Sequence, residues 1–458
     1  MITTVPHYWP ILILVGTVAF FIGITRINLG LVVLVFAMLL SPEVSIGALA
    51  RRSIIIRIED VLIIVFFLVL VARTALSKKI HIFSKTPLNP MIALYSVIFF
   101  VSTAKGVVVG NLQILQGFFY VLKLFEYFMI FYMVTAFVTT REQVIRLLKA
   151  FMITFAIVNI YAVSQIGFTG RVSAPFEGPA GEPNTLGGYQ VLLLGIIIGL
   201  TIHMPSSRWR WPLIGLALFS LIPFSFTLSR ASYMAIIPMY SILIIFSKFK
   251  QQSILIGIFI VVVLLGIFFF PSHIKERLSY TINSSDIQES IKPVEVLGIK
   301  LDPSTSARIW SWVYAFEKWK EHPFIGYGVT GIAFLDSQYF LVLGELGLGG
   351  FVVFLGILIK IFRDTIRIYK RSKDDLLKGL ALGFLAGHVG MIVHALTANT
   401  FTIIRIMEPY WFLCALVMLI PKLEGLKADQ SRESQSAKSH LRNISFLLGR
   451  RHDSRKFL

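Results

Sequence analysis

The sequence predicts an all-α fold, a polytopic membrane helix bundle of about 12–13 transmembrane helices with one long exoplasmic loop. Three observations predict it. Of 458 residues, 56% are hydrophobic and 15% charged, against about 25% charged in an ordinary soluble domain. Mean hydropathy is +0.78. The apolar residues also run in long blocks, such as the uncharged stretches Ala231 to Phe246 and Ser253 to Phe270, and do not alternate with polar ones. Finally, the basic residues gather in short loops between those blocks and in the tail.

In chain order, the candidate spans are roughly 9–24, 28–41, 58–73, 90–104, 113–138, 144–164, 186–203, 210–226, 231–246, 252–270, 338–361, 377–398 and 403–421, the first two being short and either tightly paired or with only one fully crossing. Lys78, Lys79 and Lys85 follow the third block, and Arg141, Arg146 and Lys149 follow the fifth. Arg208 and Arg210 follow the seventh, Lys248 and Lys250 the ninth. Seven Lys and Arg from Lys360 to Lys378 follow the eleventh, and the tail from Lys422 is basic too. If the blocks alternate, all of these share one side, which the positive-inside rule makes cytoplasmic. The same alternation puts Arg51, Arg52 and Arg57 outside, against that rule. The net charge of +19 is thus accounted for by the membrane, and no nucleic-acid partner is expected. The N-terminus lacks a basic n-region and cleavage site, so no removable signal peptide is read there.

Three features fall on the outer face: the loop Gly170 to Gln190, the turn at Ser229-Arg230, and the long loop at about 271–335. In that loop Ile309, Trp312, Val313, Phe316 and Trp319 form one helical stripe, suited to the membrane interface. Ser304, Thr305 or Ser306 could cap this helix, and Pro323, Gly326 and Gly328 end it in a turn. The tail, 422–458, is polar, of mixed charge and expected to be disordered.

No phosphate-binding loop, paired Cys-x-x-Cys or Gly-x-Ser-x-Gly elbow occurs. Cys414 is the single cysteine, so no intrachain disulfide forms. His388 and His394, six apart, do not share a helical face and read as packing or hydrogen-bonding residues, and no metal site is expected. Lys123 and Glu126, three apart within a span, read as a structural ion pair. Arg230 at the outer end of a span either snorkels to the headgroups or has a functional role. Arg308 opens a helix, where a basic residue opposes the dipole and calls for an anionic neighbour.

Three segments together carry a resemblance: "FTLSRASYMAI", "SARIWSWVYAFEKWKEHPFIGYGVTG" and "DSQYFLVLGELGLGG". They are a Ser-Arg pair opening a span, an Arg-led aromatic helix ending in His-Pro-x-x-Gly-x-Gly, and a polar step into Glu-x-Gly. In this order they resemble the O-antigen ligase and polymerase family of bacterial membrane proteins. The likeness covers about residues 165–415, including the Asn-containing segment before the span that follows Gln190. It divides the chain into N-terminal helices (1–164), an O-antigen ligase/polymerase-like domain (165–421) and a basic cytoplasmic tail (422–458).

The resemblance implies a metal-independent glycosyltransferase without cofactor, sited in the bacterial inner membrane with its C-terminus cytoplasmic and its active site facing the periplasm or exterior. Its donor would be a glycan on a polyprenyl diphosphate, and its acceptor a glycan or lipid core. The lipid bilayer and other polysaccharide-assembly proteins are further expected partners. Arg171, Arg230 and Arg308 would bind the diphosphate, since guanidinium groups can hold the departing phosphate's charge bidentately without a metal. Asp336 would act as general base where ligases of the family carry a histidine, a departure that favours polymerase over ligase. The catalytic set is therefore Arg230, Arg308 and Asp336, with Arg171, His322, Tyr327 and Glu345 binding substrate. His322 and Glu345 also have structural readings, in the glycine-rich turn and the span mouth. A transporter or flippase for a lipid-linked anion is the competing reading. Pro223 and Pro238 could break helices as in transporters, but the halves show no repeat.

Overall fold

The computed structural model describes residues 9–49, 52–76, 82–177, 181–204, 208–269, 294–296, 299–301, 303–333 and 335–425. Arg51, Lys78, Lys79, the long loop before Val294 and the tail beyond Gly425 lie outside the described residues. Thirteen α-helices occur among them: α1 (Trp9–Leu40), α2 (Ile58–Leu76), α3 (Asn89–Val108), α4 (Ile114–Phe137), α5 (Arg141–Ser164), α6 (Pro183–His203), α7 (Arg210–Phe226), α8 (Arg230–Phe246), α9 (Phe249–Phe269), α10 (Pro303–Glu321), α11 (Gln338–Arg371), α12 (Asp375–His394) and α13 (Ile404–Gly425). Eight are long and apolar enough to cross a membrane. Two short antiparallel ribbons interrupt them: β1 (Glu43–Leu49) with β2 (Arg52–Arg57), and β3 (Glu295–Val296) with β4 (Ile299–Lys300).

The N-terminal segment, read as two short spans tightly paired or with only one crossing, is a helix kinked between the two stretches. α1 runs 32 residues with one non-helical residue, Arg26 (φ −140°, ψ 62°). At about 1.5 Å per residue its length exceeds the membrane's hydrocarbon thickness, and Gly16–Leu40 is the part long and apolar enough to cross. Polar side chains had marked a break in the apolar run, but each is accommodated. Arg26 is exposed at the bundle surface, and Asn28 Oδ1 accepts a hydrogen bond from Gln143 Nε2 at 2.5 Å. α1 packs on α2 through Gly23 and Gly30, where a Cβ would come within 3.0 Å of Val69 and Phe66.

The centre of the bundle is α6, α12 and α13, whose spans are the most buried. Small residues let α6 and α12 meet backbone to backbone. A Cβ on Gly199 would stand 2.5 Å from Gly383 N, and one on Gly195 2.8 Å from Gly383 O. Without a hydrophobic force between helices in lipid, such close packing supplies the association. Pro223 and Pro238 stay inside α7 and α8, which continue through them.

Contacts sort the loops into two ends. At one end Arg141 pairs with Asp374 at 2.7 Å, Lys149 lies over Trp209, and Glu424 accepts from Ser372, Lys373 and Asp374. At the other end, residues 165–177, 227–229, 303–337 and 395–405 meet one another. The loops around Arg141, Trp209 and Asp374, expected to share a side, therefore share an end.

α11 is also broken, at Gly347 (φ 68°, ψ −171°). A break inside a bundle leaves backbone groups that must find partners. The turn after α10 supplies them: Leu348 N donates to Pro323 O (2.8 Å), Gly349 N to Phe324 O (3.2 Å) and Gly328 N to Glu345 O (2.9 Å). Gly326 (φ 69°) faces the break, and a Cβ there would lie 2.4 Å from Glu345 O. The two glycine-rich motifs are thus halves of one seam.

Candidate functional site

α8 begins at Arg230 because Ser229 caps it, its Oγ accepting from Ser232 N at 3.3 Å. The preceding Leu228 is held at φ 50°, a strained conformation for a branched side chain. What holds that turn is Arg171. Its Nε donates to Thr227 O at 2.9 Å and its NH2 to Leu228 O at 3.5 Å, while Val172 N donates to Phe226 O. Arg171 thereby fixes the approach to Arg230.

From the other side comes α10. Arg230 NH1 donates to Thr305 Oγ1 at 3.4 Å, one helical turn before Arg308. The helix starts at Pro303, with Ser304, Thr305 and Ser306 in its first turn. The buried Ser306 Oγ ties the start of α10 to the ribbon, accepting from Val294 N and donating to Leu301 O. The anionic neighbour that Arg308 called for is Asp336, whose Oδ2 lies 3.4 Å from Arg308 Nε. Trp312 Nε1 donates to Asp336 O at 2.9 Å, and its ring stacks on Phe340 at 5.4 Å. Asp336 is 45% exposed and Arg308 19%, so the pair borders solvent. The next residue, Ser337, also has a left-handed φ, 119°. Strained backbone thus stands beside both Arg230 and Asp336, as is common where a site over-determines its residues.

Arg171, Arg230, Arg308 and Asp336 therefore meet at one corner. His322, Tyr327 and Glu345 form a second grouping, past the far end of α10. From Arg308 to the end of that helix is about 20 Å along its axis. There the His322 ring stands edge-on to Tyr327, and the Tyr327 hydroxyl donates to Glu321. This bond, with the Lys318 ammonium, holds the Glu321 carboxyl below its ordinary range. Glu345 is buried, and its Oε1 accepts from Thr330 N at 2.7 Å, inside the glycine seam. The aromatic stripe of α10 is divided: Trp312 packs inward, while Val313 and Phe316 remain exposed.

A buried polar chain behind Arg230 was not singled out in sequence. Thr400 Oγ1 lies 2.7 Å from His394 Nδ1, and His394 Nε2 lies 3.2 Å from Ser232 Oγ. Ser232 Oγ donates to Ser229 Oγ (2.9 Å), and Ser229 Oγ to Asn184 Oδ1 (2.7 Å). Gly187 and Gly188 make room, since a Cβ on either would meet Ser232 or His394. The available signal was a histidine at the end of an apolar helix, but its partners lie far away in sequence. His388 meets Leu358 O and Tyr410, the hydrogen-bonding role expected of it.

Lys123 and Glu126 pair at 2.9 Å, and Lys123 also reaches Asp60 at 2.6 Å. That pair is thus one edge of a larger buried network. Arg57, which had broken the charge rule, is buried there, 3.7 Å from Glu59. It is a partner within the bundle and carries no topological signal.

Residues 215–355 match the family model described as O-antigen ligase. The match takes in Arg230, Arg308, His322, Tyr327, Asp336 and Glu345 and leaves Arg171 outside. No curated protein matches the chain.

Proposed function

From the premise that this chain is a membrane protein of the O-antigen ligase/polymerase family, we propose that it joins polyprenyl-diphosphate-linked oligosaccharide units, acting as a polymerase. The observation that supports the reading is the chain of contacts that gathers Arg171, Arg230 and the Arg308–Asp336 pair at the corner between α8 and α10. Guanidinium groups gathered in this way suit a ligand of high negative charge, and diphosphate is such a ligand.

In this mechanism Arg230 and Arg308 bind the donor diphosphate, while Arg171 fixes the turn that carries Arg230. The diphosphate competes with Asp336 for Arg308, which releases the carboxylate to accept a proton from the acceptor hydroxyl. The hydroxyl oxygen attacks the sugar's anomeric carbon, and the bond to the diphosphate oxygen breaks. Its electron pair leaves with the polyprenyl diphosphate, and the arginines stabilise that charge. The reaction needs no divalent ion. The basic end of the bundle faces the cytoplasm, so the site opens to the periplasm or exterior of a bacterial inner membrane.

Transfer of finished polysaccharide to a lipid core is the second reading, supported by the description of the matched family. Asp336, where ligases carry histidine, favours the first. Glycan length in a deletion strain separates them. The polymerase reading predicts surface glycan reduced to single repeats, and full-length polysaccharide accumulating on the lipid carrier would replace it with the ligase reading.

A further inference from the structure

Helices α1, α2, α4 and α13 enclose a cluster of charge that the transfer reaction does not use. Carboxylate oxygens of Glu59, Asp60 and Glu408 lie within 4.8 Å of one another, and all three residues are buried. Glu59 and Asp60 stand in the first turn of α2, where the helix dipole accounts for an acid. Asp60 is also engaged, with Arg57 N donating to its Oδ2 and Lys123 2.6 Å from its Oδ1. Ser41 donates to Glu59. Glu408 differs: it is 0% exposed, and neither of its oxygens has a hydrogen-bond partner. A buried carboxylate with two bare oxygens facing two other carboxylates is among the costliest arrangements in a protein interior.

The charges do not balance. Among the described residues, Glu59, Asp60, Glu126 and Glu408 stand against Arg57, Lys123 and Arg405, one negative charge over when all are ionised. Arg405 also donates to three backbone carbonyls, Leu39 O (2.7 Å), Ser41 O (3.2 Å) and Phe176 O (3.0 Å). One shared proton would cancel the charge but give a partner to only one of the two Glu408 oxygens. A metal ion accepts both. A divalent ion would overshoot the count by one, whereas a monovalent ion closes it. Oxygen-only ligands select a hard cation.

We propose that Glu408, Glu59 and Asp60 form a resident binding site for a sodium ion. Bound there, the ion joins the N-termini of α2 and α13. Through Arg405 it also braces the backbone at Phe176, in the loop that carries Arg171. The inference is independent of the transfer reaction, and its test does not read glycan synthesis.

The test uses the purified full chain in detergent. Thermal unfolding is followed in sodium chloride and in choline chloride at equal ionic strength, with 22Na+ binding measured alongside. The site predicts that the unfolding midpoint rises saturably with sodium and that about one ion binds per chain. Glu408→Gln removes the surplus charge. It should abolish both responses while leaving the chain in choline at least as stable as the parent. If Glu408→Gln fails to accumulate, 22Na+ binding to the parent chain decides. Coincident midpoints in sodium and choline, no saturable 22Na+ binding, or binding unchanged in Glu408→Gln would each overturn the proposal. So would a stabilisation reproduced by acidification alone, which would make the occupant a proton.

Discussion

Two charge clusters stand toward the same end of the bundle, and they are built on opposite terms. At the corner of α8 and α10, three arginines outnumber one aspartate among the described residues, and the Arg308–Asp336 pair borders solvent. Between α2, α4 and α13, four carboxylates outnumber three basic side chains among the described residues, and Glu59 and Glu408 are completely buried. An excess of positive charge open to solvent costs little and offers a place for an anion. An excess of negative charge sealed from solvent is costly until something permanent cancels it. The first arrangement suits a substrate that comes and goes, and the second suits an ion that stays.

The largest effect should come from the open cluster. Arg230→Ala or Arg308→Ala should lower glycan output by about a hundredfold or more, the scale for removing one preorganised charge-stabilising donor. Membrane levels of both variants, measured by immunoblot, should stay near those of the parent. Conversion to lysine should rescue only weakly, because an ammonium lacks the two-pronged donor geometry. Full output from both alanine variants would leave the corner without a role.

Asp336→Asn should come next, slowing turnover by about 10²-fold or more while donor binding persists, as expected for loss of a general base. A loss confined to donor affinity would make Asp336 a partner of Arg308 alone.

A smaller effect on activity, but a direct one on folding, is expected at the glycine seam. Gly347→Ala and Gly326→Ala each force a Cβ into backbone within 2.6 Å at a left-handed φ. Each should cost about 1–3 kcal/mol and reduce the amount of membrane-inserted protein. The variant that does accumulate should retain the arginine-dependent activity per molecule.

The smallest effect concerns Glu177, in the loop shared by the two clusters. Burial raises its carboxyl to about 8, against the opposing pull of Arg405. The folded chain therefore holds this proton more tightly than the unfolded chain does. Its stabilising contribution is complete below the ordinary value of 4.5 and is lost as pH rises toward about 8. The unfolding midpoint should decline over that window, and Glu177→Gln should flatten the decline. An unchanged slope in Glu177→Gln would assign the titration elsewhere.

The open cluster was largely legible in the sequence, because its residues announce themselves locally. Arg230 follows a capping serine at a span boundary, and Arg308 opens a helix where a cation is out of place. The glycine motifs were legible as turns, but their mutual seam was not, since no local pattern says that Gly326 abuts Gly347. The sealed cluster was legible only as the pair Lys123–Glu126. Its other members join residues from 41 to 408, each of which reads alone as a helix-end charge. The same holds for His394, whose partners Thr400 and Ser232, with Ser229 and Asn184 beyond Ser232, come from other parts of the chain. The N-terminal break was legible as well. Arg26 and Asn28 interrupt the apolar run, and the helix kinks at Arg26, which reaches the bundle surface while Asn28 is held by Gln143.

The most direct test of the central claim is reconstitution of the purified chain in liposomes with a single-repeat glycan on polyprenyl diphosphate. The account predicts lipid-linked products lengthened by whole repeats, with stoichiometric release of polyprenyl diphosphate, and no such products from Arg230→Ala or Arg308→Ala. Movement of the lipid-linked sugar across the bilayer with no new glycosidic bond would contradict it.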